Sequence, residues 1–282
     1  MEHFDILIIG GGAAGIAAAK AAGSAKVLLA DRKAKLGGVL LQCTHHGFGK
    51  NKSGIEYAAD LLTDFPEAVS LALNTTVLSV SGDKTAVLSG REFGRKQISF
   101  SQLILASGCR EIPVGALPIG GTRPKGIYTA GQMQEMMNLH GAVPEGPVVI
   151  LGSGDLGLIM AKQLSEAGLS VTIVEQKPHC GGMARNRHCL EEYPIRLLCG
   201  DTIREVRGYP RITGCVTANG EELPCKTLLI AAGLRPEQEL IAHLGSPEWL
   251  HICGNCNAVH PMVEAVVNEG KQAGQAALKQ MR

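Results

Sequence analysis

The sequence predicts an α/β protein made of two similar domains, each with a parallel sheet and an inserted β-meander. A glycine-rich turn between a short apolar strand and a helix occurs twice, at Gly10–Gly15 and at Gly152–Gly157. After each turn come a second strand that ends in an acid, a β-rich stretch, and a closing strand that ends in small residues and glycine. An internal repeat of this length implies two domains of one design.

The first copy begins with Phe4–Ile9, an apolar run typical of a short buried strand. Gly10, Gly12 and Gly15 then match the G-x-G-x-x-G spacing. These glycines allow a tight turn, close approach of the backbone to a pyrophosphate, and close packing of helix on strand, and the free N–H groups of the helix start suit phosphate. Val27–Asp31 is a second strand, and its terminal carboxylate is suited to a ribose diol. The pattern predicts a Rossmann-like dinucleotide site.

The second copy has the same glycine spacing, at Gly152, Gly154 and Gly157. Its second strand, Ser170–Val174, ends in Glu175, eighteen residues after the last of these glycines. A carboxylate at this position accepts hydrogen bonds from an adenosine ribose and repels a 2′-phosphate, which favours NAD(H) over NADP(H). Three basic residues follow closely and weaken that preference: Lys177, Arg185 and Arg187.

Periodicity predicts the remaining elements. We expect helices over residues 54–65, 130–139, 158–166 and 263–278. We expect strands over residues 75–80, 85–89, 97–100, 103–106 and 227–230, and a β-rich stretch over 196–225. The glycine-punctuated segment 35–49 is predicted to be a loop, and loops of this kind often carry functional residues.

The composition excludes several classes of protein. The 282 residues suffice for two domains, and a net charge of +1 indicates neither nucleic acid nor an anionic membrane as a partner. No stretch reaches the roughly 18 apolar residues of a membrane span, and Glu2 and Asp5 stand where a signal peptide would be basic. Nine cysteines, an odd number, argue against a disulfide framework. We therefore expect a cytoplasmic protein with reduced thiols.

The two turns with their closing strands, Leu103–Gly108 and Leu228–Gly233, resemble the two-dinucleotide-binding-domain flavoproteins, the pyridine nucleotide-disulfide oxidoreductase superfamily that includes the thioredoxin and glutathione reductases. The resemblance implies an FAD domain, residues 1–112 and 236–282, and an NAD(P)H domain, residues 113–235. It implies FAD contacts from Gly10, Gly12, Ala13, Ala14, Gly15, Asp31, Arg32, Gly37, Gly38, Ala106, Ser107, Gly108, Gly254 and Asn255. It implies NAD contacts from Gly152, Ser153, Gly154, Asp155, Leu156, Gly157, Glu175, Gln176, Ala232 and Gly233.

Leu36–Gly49, Val148–Ala161 and the Cys253–Asn255 end are more specifically similar to small FAD-dependent oxidoreductases associated with anaerobic glycerol-3-phosphate dehydrogenase-like systems. Those proteins are typically encoded beside a larger dehydrogenase flavoprotein and a small cysteine-containing protein, so the similarity implies a subunit of an electron-transferring assembly. The chain departs from the pattern in two places. Asn255 stands where the superfamily usually has Asp, and Ala258 stands where a second histidine is expected. No oligomeric state is predicted.

The candidate catalytic residues are Cys43, His45, His46 and His260. Glutathione-reductase-like members carry C-x-x-x-x-C after the Gly-Gly pair, but position 48 is Phe, which disfavours that disulfide cycle. Cys43 would act alone if a positive neighbour lowered its pKa, and His45 or His46 would supply that charge or act as acid or base. A packing or partner-contact role is the alternative.

Cys253 and Cys256 form a C-x-x-C motif. Zinc needs four ligands and no second pair stands at a suitable spacing, so no metal site is predicted. Two alternatives remain, a redox pair near the flavin and small packing residues within a flavin-binding turn. His260 follows the motif and either approaches the flavin or has a capping or packing role.

The sequence therefore predicts an FAD-dependent pyridine nucleotide oxidoreductase in which hydride passes between nicotinamide and flavin. It is expected to work as a subunit with a partner dehydrogenase flavoprotein, a small redox protein, or both. The alternative enzyme is a self-sufficient disulfide or thiol reductase that uses Cys43 or the Cys253/Cys256 pair. A third hypothesis is a nucleotide-binding subunit without catalytic activity.

Overall fold

A computed structural model describes residues 1–281 of the chain. The chain divides into two compact units, Met1–Arg110 together with the chain from Arg235 onward, and Glu111–Leu234. No helix within residues 1–281 is long and apolar enough to cross a membrane.

Twenty strands, β1 to β20 in chain order, occur in the described residues. Their bounds are Glu2–Ile9, Val27–Ala30, His46–Phe48, Lys52–Ser53, Ser70–Ala72, Thr75–Ser81, Thr85–Gly90, Gly94–Leu105, Cys109–Glu111, Gly120–Gly121, Ile127–Thr129, Val148–Leu151, Val171–Glu175, Arg196–Cys199, Ile203–Arg207, Gly214–Thr217, Glu222–Pro224, Thr227–Ile230, Leu234–Pro236 and Leu250–Ile252.

Seven α-helices, α1 to α7, occur in the same residues. Their bounds are Ala13–Ala21, Gly54–Leu62, Ala130–His140, Asp155–Glu166, Ala184–Arg187, Cys189–Glu192 and Val263–Gln280. Short 3-10 turns cover Gly38–Gln42, Val114–Ala116, Glu239–Ile241 and Gly254–Cys256.

The first unit is built on a seven-stranded sheet with the order β5-β2-β1-β8-β7-β6, and β20 adds to β8. Strands β5, β2, β1, β8 and β20 pair in parallel, whereas β6, β7 and β8 form an antiparallel meander. Alternate residues of β1 enter two apolar clusters, with Ile6 and Ile8 in one and Leu7 and Ile9 in the other. Burial on both faces explains why the last four residues of this strand, Ile6–Ile9, are all apolar.

Helices α1 and α7 of this unit pack with their backbones close together. A Cβ atom on Gly270 would lie within 3.0 Å of the carbonyl oxygen of Ala14, and one on Gly274 would lie equally close to that of Ala18. Only glycine permits this approach, and the alanines of α1 keep the facing surface flat. The small residues of α1, which belong to the first glycine fingerprint and the helix after it, therefore also allow α7 to pack closely against α1.

The second unit repeats the parallel sheet, with the order β11-β18-β12-β13-β14. A separate sheet with the order β10-β15-β16-β17 contains the antiparallel meander. The sequence placed residues 196–199 in one continuous β-rich stretch with that meander. They instead form β14, which pairs in parallel with β13 because α5 and α6 lie in the connection between them. The predicted α/β class, with its two parallel sheets, is confirmed.

Two further differences concern local elements. The segment predicted as a loop over residues 35–49 contains the 3-10 turn Gly38–Gln42 and the strand β3, which pairs with β4. The helix predicted over 158–166 begins earlier, at Asp155, so that its first turn includes the last glycine of the second fingerprint.

Candidate functional site

The glycine-rich turn of the first unit is shaped by two close backbone approaches. Gly10 has a φ of +106°, and a Cβ there would lie within 3.0 Å of the carbonyl oxygen of Ala106. A Cβ on Gly15 would lie within 3.0 Å of the Gly10 carbonyl oxygen. Strand β1 and helix α1 therefore meet at a distance that excludes side chains, which leaves the N-terminal N–H groups of α1 pointing out of the turn.

The acid at the end of β2 is tied to this turn. Asp31 accepts the backbone N–H of Gly11 on Oδ2 at 2.5 Å and that of Lys33 on Oδ1 at 2.7 Å. A carboxylate has about four acceptor sites, so about two remain available to a ribose diol. Its neighbour Arg32 is exposed.

The same geometry recurs in the second unit. Gly152 has a φ of +105°, and a Cβ there would lie within 3.0 Å of the carbonyl oxygen of Ala231. A Cβ on Gly157 would come as close to the Gly152 carbonyl oxygen, whereas one on Gly154 would meet no atom within 4 Å among the described residues. The two glycine turns, which the sequence predicts to be alike from the spacing of their glycines, therefore make the same close backbone contacts.

Glu175 occupies the position of Asp31 in this second copy. Its Oε2 accepts the backbone N–H of Ser153 at 2.8 Å and the Ser153 hydroxyl at 2.6 Å, and its Oε1 accepts the Lys177 N–H at 2.9 Å. Burial raises the pKa of Glu175, but the hydrogen bonds from Ser153 and Lys177 outweigh that effect and hold the pKa below its ordinary value. Glu175 is 8% exposed. Because a carboxylate has about four acceptor positions and Glu175 already accepts three hydrogen bonds, about one position is left for a ligand.

Two other residues of the second fingerprint hold the following loop. The Ser153 hydroxyl accepts the N–H of Gly181 at 2.7 Å. Asp155 Oδ1 accepts the N–H of Met183 at 2.7 Å and the side-chain amide of Asn186 at 2.6 Å. The side chains of Ser153 and Asp155, two predicted NAD contacts, are therefore hydrogen-bonded to the loop beside Glu175 and fix its conformation. The basic side chains on and near this loop are exposed: Lys177, Arg185 and Arg187.

The Gly-Gly pair after β2 packs on the first fingerprint. The N–H of Gly37 is bonded to the carbonyl oxygen of Gly11 at 2.8 Å, and a Cβ on Gly38 would lie 2.9 Å from the Cα of Gly12. These contacts bring Gly37 and Gly38, predicted FAD contacts, next to the turn that binds the pyrophosphate in this type of fold.

Cys43 lies at the end of the following 3-10 turn and is 7% exposed. Its thiol donates to the carbonyl oxygen of Val39 at 3.3 Å, and the start of α2 packs against it at Gly54. Burial raises the pKa of Cys43 to about 12. A reactive thiolate requires a lowered pKa, and burial has the opposite effect on Cys43, although His45 and His46 lie two and three residues further along the chain.

The two histidines of this loop differ in environment. His45 is half-buried with its ring centroid 5.2 Å from that of Phe48, and Phe48 is 6.3 Å from the ring of Tyr57. His46 is exposed. The loop is tied to α7 because Gly49 donates its N–H to Glu264 Oε1 at 3.2 Å.

The C-x-x-C turn lies at the end of β20 and is closed to solvent. Cys253 is 1% exposed and Cys256 is 0% exposed. The Cys256 thiol lies 3.1 Å from the carbonyl oxygens of both Leu105 and Cys253. Burial raises the pKa of Cys253, and the neighbouring Cys256 and Glu269 raise it further. Both thiols therefore lie in the interior of the first unit.

Two of the predicted site residues near this turn, Asn255 and His260, are hydrogen-bonded to each other. Asn255 Oδ1 accepts the backbone N–H of His260 at 3.0 Å, so the residue that replaces Asp stabilises its own loop. A Cβ on Gly254 would lie 2.7 Å from the Cβ of Ala14, which places the turn directly against α1.

Sequence reasoning missed Glu269. Its Oε2 accepts the N–H of Gly254 at 2.8 Å, and its Oε1 lies 2.7 Å from His260 Nε2. One feature of the sequence could have indicated it. Glu269 lies three residues after Val266 and directly before Gly270, so an acid stands on the face of α7 that packs inward.

The predicted sites fall into two groups, one in each unit. The FAD set lies at the carboxyl ends of β1, β2, β8 and β20, where parallel α/β sheets bind ligands, and Ala106, Ser107 and Gly108 follow β8 directly. The NAD set lies at the carboxyl ends of β12, β13 and β18, and Ala232 and Gly233 follow β18. In the part of the chain that the structure describes, no group of three or more His, Cys, Asp or Glu residues is arranged to hold a metal ion.

A protein-family model, the pyridine nucleotide-disulphide oxidoreductases, matches residues 4–249. The chain belongs to this family. Its members use FAD and NAD(P)H, so the predicted enzyme class, an FAD-dependent pyridine nucleotide oxidoreductase, is confirmed. The glycine turns at the starts of α1 and α4 and the two strand-end acids fit a dinucleotide in each unit.

Relatives and solved structures agree with this assignment. Hydrogen cyanide synthase subunit HcnB of Pseudomonas protegens is 30% identical over 203 residues, 69% of this chain and 43% of the relative. Sarcosine oxidase subunit alpha of Rhizobium meliloti is 29% identical over 274 residues, 88% of this chain and 26% of the relative. The chain thus spans less than half the length of both. Thioredoxin reductase of T. acidophilum has the same fold, with a TM-score of 0.80, 19% identity and coverage of 100% of this chain and 99% of that one.

Proposed function

We propose that this protein is an FAD-containing, NADH-linked subunit of a multi-component oxidoreductase. Hydride exchanges between nicotinamide and flavin, and electrons pass to or from a partner dehydrogenase flavoprotein, a small redox protein, or both. The observation that carries this proposal is the duplicated site, in which a glycine turn and a strand-end acid make the same backbone contacts in both units.

In this proposal the chain's residues bind and orient two cofactors, which supply the hydride chemistry. The N–H groups at the start of α1 would hold the pyrophosphate of FAD, and Asp31, which already accepts the Gly11 N–H, would accept a ribose hydroxyl. Gly37 and Gly38 close one side of the turn. The start of α4 and Glu175 bind NADH in the same way.

The preference for NADH rests on Glu175. Its pKa is lowered, so the side chain is ionised at neutral pH and repels a 2′-phosphate. Its position is held by Ser153 and Lys177. The exposed Arg185 and Arg187 act in the opposite direction, so NADPH remains a weaker substrate in this proposal.

A self-sufficient disulfide reductase is the second candidate, and the likeness to thioredoxin reductase favours it. It requires a thiol pair that a substrate reaches. The pair Cys253 and Cys256 is 1% and 0% exposed, and Cys43 has a pKa raised to about 12. These environments support packing roles for the three cysteines and favour the subunit hypothesis. A nucleotide-binding subunit without catalysis is the third candidate.

The relatives support the part of the proposal that concerns partner proteins, because two of them are named as subunits of hydrogen cyanide synthase and sarcosine oxidase. The similarity to proteins of anaerobic glycerol-3-phosphate dehydrogenase-like systems suggests a specific partner, a larger dehydrogenase flavoprotein. The cytoplasmic location that we expect from the sequence belongs to the same proposal.

The first test is the cofactor content and nicotinamide preference of the purified protein. We expect a yellow protein that releases FAD on denaturation and whose flavin is bleached faster by NADH than by NADPH under anaerobic conditions. A colourless protein that does not take up FAD would favour the non-catalytic hypothesis. Co-purification of a flavoprotein with the tagged chain from its native host would identify the electron partner.

A further inference from the structure

Four large apolar side chains are exposed around one small apolar cluster of the first unit. The cluster contains the buried residues Leu40 and Ala58, and Val263 from the first turn of α7 packs against it. The exposed side chains, which we call the apolar patch, are Val39, Ile55, Val259 and Met262, with exposed fractions of 62%, 46%, 39% and 40%. Single apolar side chains on a surface are ordinary, whereas a group around one cluster indicates an interaction surface.

The segments that carry the patch contact one another. A Cβ on Gly54, at the start of α2, would lie 2.6 Å from the carbonyl oxygen of Leu40 in the 3-10 turn Gly38–Gln42. Gly49, in the hairpin of β3 and β4 that leads into α2, donates its N–H to Glu264 Oε1 in the first turn of α7 at 3.2 Å. The patch residues on the turn, at the start of α2 and before α7 therefore lie on adjoining segments.

The charges around the patch are mostly positive. Residues 32–55 contain no Asp or Glu, in a chain with a net charge of +1, and their basic residues are Arg32, Lys33, Lys35, Lys50 and Lys52. Lys35 and Lys50 are exposed. The acids that follow in α2 are engaged within the protein, because Glu56 caps the helix and Asp60 pairs with Lys52. This rim is complementary to an acidic partner.

The patch is small for a permanent subunit contact. A stable interface buries about 800 Å² on each partner and involves about 20–30 residues a side. Transient electron-transfer complexes bury less, and complementary charge steers their encounter. Four apolar side chains within a lysine-bearing rim fit the transient class.

The cluster under the patch also reaches the turn that we assign to FAD. It includes Ala13, the first residue of α1. A Cβ on Gly38, directly before Val39, would lie 2.9 Å from the Cα of Gly12 in the glycine turn. A protein docked on the patch would therefore contact segments that pack on the proposed FAD turn, within the same unit.

We propose that the apolar patch, together with Lys35 and Lys50, is the docking surface for a small acidic iron protein that carries one electron. This inference rests on the proposed function and names the class of its redox partner. For each NADH oxidised to NAD⁺, two molecules of the oxidised carrier gain one electron each and one proton is released to water. The lysines attract and orient the carrier, and the apolar side chains are buried against it.

The first experiment measures NADH-driven reduction of two carrier proteins by the FAD-loaded protein. Rubredoxin is an acidic one-electron iron protein, and cytochrome c is a basic one. We expect kcat/KM for rubredoxin to exceed that for cytochrome c and to fall as salt is added, because screening weakens the attraction. A rubredoxin rate that does not depend on salt, or a preference for cytochrome c, would overturn the inference.

Charge reversal tests the location of the surface. We expect Lys35→Glu/Lys50→Glu to lower kcat/KM for rubredoxin about tenfold or more at low salt, and to leave the reduction of menadione, a small uncharged quinone, unchanged. The matched control is Lys271→Glu/Lys279→Glu, which makes the same change of charge at exposed positions farther along α7 and is expected to keep the rubredoxin rate. Equal rubredoxin rates in the two double variants, or equal losses with rubredoxin and menadione, would contradict the proposed location.

The apolar part of the surface has its own test. We expect Val39→Ser/Met262→Ser to lower kcat/KM for rubredoxin about fivefold or more with menadione reduction unchanged, because less apolar area is buried in the complex. A dimer on gel filtration that these substitutions dissociate would show that the patch joins two copies of the chain, and would overturn the inference alone. A protein that binds no FAD, or whose flavin NADH does not reduce, would overturn the proposed function as well.

Discussion

Ser153 donates both its backbone N–H and its hydroxyl to one carboxylate oxygen of Glu175, at 2.8 and 2.6 Å. The second fingerprint turn and Glu175, the acid that we propose selects the nucleotide, are thus joined by hydrogen bonds. In the first copy, Asp31 makes the corresponding backbone contacts, to Gly11 and Lys33, but Gly11 stands at the position of Ser153 and has no hydroxyl. The extra hydroxyl of the second copy fixes the acid more rigidly and also anchors Gly181.

Cofactor preference should depend on the charge of Glu175. We expect Glu175→Gln to raise the KM for NADH about tenfold, since a hydrogen bond to a charged acceptor is worth about 1.5–3 kcal/mol. The KM for NADPH should rise less, because the repulsion of the 2′-phosphate is removed as well. Steady-state kinetics with both nucleotides measures this. An unchanged ratio of the two KM values would remove Glu175 from nucleotide selection.

Acid stability should depend on the same residue. The folded-state pKa of Glu175 is lowered, so its contribution is present above the unfolded-state pKa and is lost as pH falls through the folded-state pKa. We expect the thermal midpoint to fall more steeply between about pH 5 and pH 3 in the natural protein than in Glu175→Gln. Glu191→Gln is the control, because that side chain is 81% exposed. Parallel curves for all three proteins would contradict this assignment.

The close backbone contacts predict separable effects in the two units. Gly15→Ala places a methyl group against the Gly10 carbonyl, and Gly157→Ala places one against that of Gly152. We expect each to destabilise its unit by about 1–3 kcal/mol. The first should lose FAD on gel filtration, whereas the second should keep FAD and bind NADH weakly. Gly82→Ala is the control, because its Cβ would meet nothing within 4 Å in residues 1–281.

Cys43 should be unreactive in the folded protein. With its pKa raised to about 12, about one thiol in ten thousand is ionised at pH 8, and burial limits access. We expect iodoacetamide to label the exposed Cys199 well before Cys43, with peptide mass spectrometry as the readout. Labelling of Cys43 should begin only on denaturation. Rapid modification of native Cys43 would revive its proposed redox role.

The sequence predicts the two glycine turns and their strand-end acids because these signals are local. Gly10, Gly12 and Gly15 are required by contacts within one strand, turn and helix, and the acid follows one strand later. The environment of Cys43 was not predictable from its neighbours in the chain. It depends on packing against Gly54, which the 3-10 turn brings near.

The pairing of Glu269 with His260 was missed for a related reason. The contact forms only because the turn at Gly254 folds back on α7, where Gly270 allows that helix to approach Ala14. The sheet that residues 196–199 join likewise depends on contacts that are distant in the chain. This short stretch with two adjacent leucines suits either sheet, and the crossover through α5 and α6 determines that it joins the parallel one.

The most direct test of the proposed electron-transfer function is an anaerobic titration of the FAD-loaded protein with NADH, with free thiols counted under denaturing conditions before and after. Because we assign packing roles to Cys43, Cys253 and Cys256, we predict complete bleaching at about one NADH per flavin and no new thiols. Consumption of about two NADH per flavin with the appearance of about two thiols would show a redox-active disulfide and contradict the account.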